Sequence, residues 1–193
     1  MKNKHLYLIK DSLTESAKVK IETAKKLSQK IAKATELTIS AYKSGNKILL
    51  CGNGGSAADC QHIAAEFVGR FRKDRRPLPA IALTTNTSIL TAVSNDYGYD
   101  FLFARQVEAW GKKGDLLFAI STGGDSSNVI RAVKTAKILK LKTIGLLGGN
   151  GGKLKKIVDL SIIVPAKSSA RIQEVHITIG HIICDLVEQE LFK

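Results

Sequence analysis

Apolar residues recur at helical spacing through residues 8–44, with Ile21, Ala24, Leu27, Ile31, Ala34, Leu37 and Tyr42 along the stretch. No Pro or Gly interrupts it before Gly45-Asn46, a pair that stops helices. The pattern predicts one long helix, or two joined ones, ahead of the main fold. Such a helix needs its apolar stripe covered, by the rest of the chain or by a partner subunit.

Beyond residue 46 the period changes. Short continuous apolar runs alternate with helical stretches, as buried parallel strands and their crossover helices do. Strands are predicted at Lys47–Cys51, Ala80–Thr84, Asp115–Ile120, Lys142–Leu147 and Leu160–Val164, the last stopped by Pro165. Helices are predicted at Ser56–Arg70, Ser88–Val93, Phe101–Trp110, Ser126–Leu139 and Ala170–Leu191, with a short one near Lys153–Val158 and irregular chain at Ser94–Asp100. Strands alternating with helices imply an α/β fold: a five-stranded parallel sheet flanked by helices, over residues 47–193, with residues 1–46 as an N-terminal helical segment. The chain shows no internal repeat and no low-complexity tract.

Composition changes this picture little. With 193 residues, 44% hydrophobic and 24% charged, the chain suits one globular domain. Asp11 and Glu15 follow the opening too soon for a signal peptide, and the apolar runs are too short for a membrane span. Cys51, Cys60 and Cys184 lack a metal-finger spacing and read as buried, reduced thiols, so a cytoplasmic protein is expected. The net charge of +13 suits an anionic partner. Its lysines are dispersed and only 6% of residues are aromatic, so a small anionic substrate is favoured over nucleic acid.

Two loops at the carboxyl ends of predicted strands can carry chemistry. Gly52-Asn53-Gly54-Gly55-Ser56 follows the first strand, and Ser121-Thr122-Gly123-Gly124-Asp125-Ser126-Ser127 follows the third. Glycines let backbone approach a ligand, and the N–H groups of the helix start favour an anion. The same residues also make ordinary strand–helix turns. Neither loop has Walker or dinucleotide spacing. Asp125 is an unusual charge for a phosphate loop: it repels a phosphate beside it, or it points outward or caps the helix.

His62 and Glu66 share a face of the helix after the first loop. That spacing suits a metal or an acid–base pair, and equally a surface pair. Arg70 lies one turn on, able to meet an anion or Glu66. In the last helix Gln173 and His181 can face one cleft, although a histidine in the apolar run IGHIIC also reads as a core residue. Asn95 and Asp96 fall in the irregular segment, suited to sugar hydroxyls or to turn chemistry.

The strings CGNGGSAADCQHIAAEF, SNDYGYD, STGGDSSNV and SARIQEVHITIGHIICDLVE resemble the phosphoheptose isomerases, enzymes of the sugar isomerase (SIS) domain class. The combination H-x-x-x-E with R-I-Q-E-x-H-x-x-x-x-H is the specific part. The resemblance implies a single SIS domain and conversion of sedoheptulose 7-phosphate to D-glycero-D-manno-heptose 7-phosphate. It implies substrate contacts from Asn53, Gly54, Gly55, Asn95 and Asp96, and a phosphate site of Ser121, Thr122, Gly123 and Ser126. It implies one zinc per subunit on His62, Glu66, Gln173 and His181, with Glu66 as base, His181 as acid, and Glu66 and Gln173 also touching substrate. It implies a homotetramer. The chain departs from the family's STSGNS with STGGDS, losing a hydroxyl at Gly123 and gaining a charge at Asp125.

Two other readings remain open: an SIS isomerase for another sugar phosphate, and a non-catalytic SIS protein binding a replication-initiation partner. Helix arithmetic adds a constraint. Gln173 and His181 are about 12 Å apart along a straight helix, while zinc needs each donor at roughly 2 Å. Either one of them comes from a neighbouring subunit or the helix bends.

Overall fold

The computed structural model describes residues 2–193. Helix α1 (Lys2–Lys43) is a single element of 42 residues. It stops as the Gly45-Asn46 signal predicts: Gly45 takes φ 74°, and Gly45 and Asn46 N–H donate back to the Tyr42 and Ala41 carbonyls. Those two bonds satisfy carbonyls that the helix end would leave unpaired.

Strands β1 (Ile48–Gly52), β2 (Ala80–Ala82), β3 (Leu116–Ser121), β4 (Lys142–Gly148) and β5 (Leu160–Val164) form one sheet in the order β2-β1-β3-β4-β5, every pair parallel. Strand residues alternate between two cores. Ile48, Leu50, Phe118, Ile120, Ile144 and Leu146 face α1, α2 (Gly55–Val68) and α6 (Ser169–Leu191). Leu49, Cys51, Leu117, Ala119 and Leu147 face α4 (Leu102–Trp110) and α5 (Ser127–Ile138). Burial on both faces is why these strands read as continuous apolar runs rather than alternating ones. In this order the chain reverses direction across the sheet between β1 and β3, and ligands bind beyond the strand ends at such a point. The Gly52–Ser56 and Ser121–Ser126 loops both emerge there.

The segment Ser94–Asp100, expected to be irregular, is mostly helical. Helix α3 runs without a break over Thr87–Tyr97, capped by the Asn86 side chain accepting from Ile89 N–H, and a 3-10 turn follows at Tyr99–Phe101. None of α3 is buried. The segment near Lys153–Val158 forms only a 3-10 turn, at Leu154–Lys156.

Helices α2 and α6 lie side by side and run in the same direction, Gly55 beside Gln173 and Ile63 beside Gly180. A Cβ on Gly180 would sit 2.6 Å from Ile63 Cδ1, so this close approach needs a residue without a side chain. It brings the next residue, His181, onto α2. Past the end of α2 the chain is clamped to α6 by Glu188. Its carboxylate accepts from Phe71, Arg72 and Lys73 N–H at 3.0, 2.8 and 2.6 Å, and from Arg75 Nε at 3.0 Å. Arg75 is as buried as Glu188 and also donates to the Phe67 and Glu66 carbonyls.

Candidate active site

The Ser121–Ser126 loop gathers hydroxyls at the end of β3. Ser121 ends β3 and is buried, and its Oγ accepts from Gly124 N–H at 3.1 Å and lies 3.4 Å from Ser126 Oγ. Ser126 is the N-cap of α5, yet its hydroxyl makes no capping bond and stays available. The first N–H groups of α5 add positive potential beside these hydroxyls. Ser169, at the start of α6, reaches Thr122 Oγ1 at 3.5 Å. A Cβ on Gly123 would meet nothing within 4 Å, so glycine here removes a hydroxyl without changing the packing. Asp125 does not crowd the loop. Its Oδ1 accepts from Lys153 N–H at 3.0 Å, tying this loop to the segment after β4.

The other loop delivers Asn53, Gly54 and Gly55. Gly54 caps α2 with φ 55°. Gly55 opens α2, and a Cβ on it would fall 2.5 Å from Gln173 Nε2, so Gln173 lays its amide against this bare backbone. Asn53 is paired with Asn128 of α5 and with Tyr99.

Two turns along α2, three titratable side chains converge. His62 Nε2 lies 3.2 Å from Glu66 Oε1 and 3.4 Å from His181 Nε2. One ligand atom from each of the three residues falls within 4.8 Å of the others. The imidazoles meet edge to face with centroids 4.8 Å apart, and Phe71 packs against His181 at 5.5 Å. His62 keeps 49% of its side chain exposed and Glu66 22%, so the cluster opens to solvent on one side. Burial, then the neighbouring His62, hold His181 below the usual imidazole range, although Glu66 pulls the other way. A neutral imidazole carries the lone pair that a metal requires.

The donor set fits a zinc ion. Two imidazoles and a carboxylate are zinc ligands, and tetrahedral bonds of about 2.05 Å place neighbouring donors about 3.3 Å apart. The separations at His62 match that edge. Gln173, the fourth residue of the set implied by the resemblance, does not join the other three within this chain. It lies beside Gly55, about 10 Å of helix before His62. Helix α6 is continuous through both Gln173 and His181. Asn95 and Asp96 are exposed on the last turn of α3, the amide of Asn95 donating to Asp96 Oδ1 at 2.8 Å. Arg70 is exposed and makes no ion pair among the described residues.

Three residues near the site escaped the sequence reading. Asp59, one turn before His62, has a buried Oδ2 with no hydrogen-bond partner among the described residues, and burial pushes its carboxyl up to about 6 against the pull of His62. Its signal was its i,i+3 spacing to His62. Asn128 and Tyr99 hold Asn53; the signal at Asn128 was a polar residue on the buried stripe of α5.

The family model for the SIS domain matches residues 13–148. A phosphoheptose isomerase of Clostridium acetobutylicum is 55% identical over 192 residues, covering 100% of this chain and 97% of that protein. Solved structures of phosphoheptose isomerases from Neisseria gonorrhoeae and Francisella tularensis superpose with TM-scores of 0.91 and 0.93 at 44% and 41% identity. They cover 95% and 96% of this chain and 98% of each of those chains.

Proposed function

The chain belongs to the phosphoheptose isomerases of the SIS-domain family, and on that footing we propose that it converts sedoheptulose 7-phosphate to D-glycero-D-manno-heptose 7-phosphate, with Glu66 as base, His181 as acid and zinc as the bound metal. The observation that carries this reading is the convergence of His62, Glu66 and His181.

Interconverting a ketose and an aldose moves a proton between neighbouring carbons and shifts protons on their oxygens. Glu66 has a carboxylate able to reach both carbons, and it takes the proton from one and returns it to the other. His181 serves as the acid partner, giving a proton to one sugar oxygen as the other loses its own. His62, Glu66 and His181 would hold a zinc ion, which would supply Lewis-acid polarisation of those oxygens. Ser121, Thr122, Ser126 and the Gly123 N–H hold the phosphate far from the reacting carbons, and Asn53, Gly54, Gly55, Asn95, Asp96 and Gln173 line the sugar. Anchoring at a distance converts binding energy into alignment.

A single copy leaves this centre half open, and Gln173 is out of its reach. Gln173 meets such a centre from another copy of the chain. A homotetramer with sites at its subunit interfaces accounts for the uncovered apolar residues Leu6, Ile9, Leu13 and Ile21 on α1 and Ile182 and Leu186 on α6. The buried free thiols Cys51, Cys60 and Cys184 favour a reducing cytoplasm. Among the described residues no helix is long and apolar enough to cross a membrane.

The test is incubation of the protein with sedoheptulose 7-phosphate, before and after chelation and after zinc is restored. Aldose formation that chelation abolishes and zinc restores is expected. No aldose from the zinc-loaded protein overturns the substrate assignment, and chelator-resistant turnover overturns the metal.

A further inference from the structure

Asn53 offers the site less than its side chain formally allows. Its Nδ2 donates to Asn128 Oδ1 at 2.9 Å, and Asn128 Nδ2 donates back to Asn53 Oδ1 at 2.9 Å. The Tyr99 hydroxyl lies 3.0 Å from the same Asn53 Oδ1. A reciprocal amide pair can be drawn with both groups flipped, since oxygen and nitrogen differ little in shape. The backbone decides between the two. Val129 N–H points at Asn128 Oδ1 from 2.9 Å, and a flipped Asn128 would set donor against donor.

With Asn128 oriented, its Nδ2 faces Asn53 Oδ1, which orients Asn53. The Tyr99 hydroxyl then faces an oxygen and must donate. Asn53 Oδ1 accepts two bonds, its full capacity, and one of the two Nδ2 protons is spent. What remains on the Asn53 side chain is a single N–H donor.

The supports of this arrangement are firm. Asn128 is buried on α5, directly behind the phosphate loop. The turn bearing Tyr99 is pinned to α5: the Ser127 hydroxyl donates to Asp100, and the Arg131 guanidinium sits 4.3 Å over the Phe101 ring and 3.9 Å from Asp100.

We infer that Asn128 and Tyr99 are positioning residues that lock Asn53 as a donor only, so that the substrate group meeting Asn53 must be an acceptor oxygen. The inference rests on the reading above that Asn53 touches the sugar phosphate. It assigns specificity to two side chains that themselves need not touch substrate. It also couples the two loops, because the pair bridges the end of β1 and the helix behind the phosphate loop.

The test uses the full chain with two variants. Tyr99→Phe removes one donor from an exposed position. It is expected to raise the KM for sedoheptulose 7-phosphate about three- to tenfold, the effect of one hydrogen bond, with kcat within about twofold. Asn128→Asp presents acceptors only, so Asn53 turns its amide towards the carboxylate and offers an oxygen to the site; a KM increase of about 10- to 100-fold is expected. A merely structural role would lower melting temperature and leave KM unchanged. Unchanged KM in both variants overturns the inference.

If the wild type does not turn over this sugar, the substrate reading has failed, and the network is judged by NMR of the Asn53 side-chain amide. One proton protected from exchange in the wild type, with both amide signals displaced in Tyr99→Phe, supports the lock. Two equally exchanging protons overturn it.

Discussion

His62 and His181 stand 119 positions apart in the chain, and their Nε2 atoms lie 3.4 Å apart. Two imidazole nitrogens at that distance either share a proton or share a cation. Glu66 completes the third corner 3.2 Å from His62. The pairing depends on the close contact of α2 and α6 at Gly180, so a packing feature and a chemical one are the same feature.

Substituting His181 by Ala removes one of three in-chain donors. The expected loss of zinc affinity exceeds the roughly 10- to 100-fold that loss of an outer hydrogen-bond partner produces. Zinc titration followed by calorimetry measures it, with His62→Ala expected to behave alike and Arg70→Ala to leave affinity unchanged.

Gly55→Ala tests the seat of Gln173. The new methyl would fall on the far end of a flexible side chain, 2.5 Å from Gln173 Nε2, so the amide swings away at little cost in stability. The melting temperature is expected to move by no more than about 3 °C, while kcat/KM falls about 10- to 100-fold through misplacement of one contact. Parallel thermal melts and kinetics separate the two effects.

Arg75→Ala leaves the buried Glu188 carboxylate without its cation. Burial pushes that carboxyl up, and four donors outweigh it, so the group is ionised in the native protein. Breaking one side of such a pair costs about 3–5 kcal/mol. Urea unfolding is the measurement. Activity at saturating zinc should fall as well, because Arg75 also holds the Glu66 carbonyl at 2.9 Å.

His176 is wholly buried, its Nε2 3.0 Å from the Leu147 carbonyl and its Nδ1 unpartnered among the described residues. Burial drives its pKa down to about 4 from 6.5, and the Leu147 bond offsets part of this. Above pH 6.5 both folded and unfolded chains hold it neutral, and its contribution to stability is fully present. As pH falls from 6.5 towards 4, the unfolded chain takes up a proton that the folded chain refuses. Stability therefore drops, by up to about 3 kcal/mol. Chemical denaturation between pH 4 and 7 should show this slope, and His176→Gln should remove it.

Much of the fold was legible. Five apolar runs became five strands, because parallel strands buried on both faces leave no polar positions to confuse the pattern. Helix α3 was not legible beyond Val93. Its second half, Ser94-Asn95-Asp96, has weak helix formers and no buried residue, so neither propensity nor periodicity announces it. At the site, the i,i+4 spacing of His62 and Glu66 put them on one face but equally suited a surface pair, and only the family resemblance grouped them with His181. His181 was not, since within an apolar run it looks like a core histidine until Gly180 places it against α2. Helix arithmetic sets Gln173 and His181 apart along α6, and in the structure Gln173 lies beside Gly55 while His181 lies beside His62. The lock on Asn53 was invisible, because it joins three residues from three segments through two side-chain amides and a hydroxyl that no spacing encodes.

The role of Glu66 is tested most directly by running the reaction in deuterium oxide. Zinc-loaded wild type is expected to turn sedoheptulose 7-phosphate into an aldose carrying solvent deuterium at C2, seen by NMR. Glu66→Gln, matched for zinc content and melting temperature, should lose about 10²- to 10⁴-fold of that rate, the usual contribution of a positioned base. Aldose formation and deuterium uptake at the wild-type rate in Glu66→Gln would contradict the account.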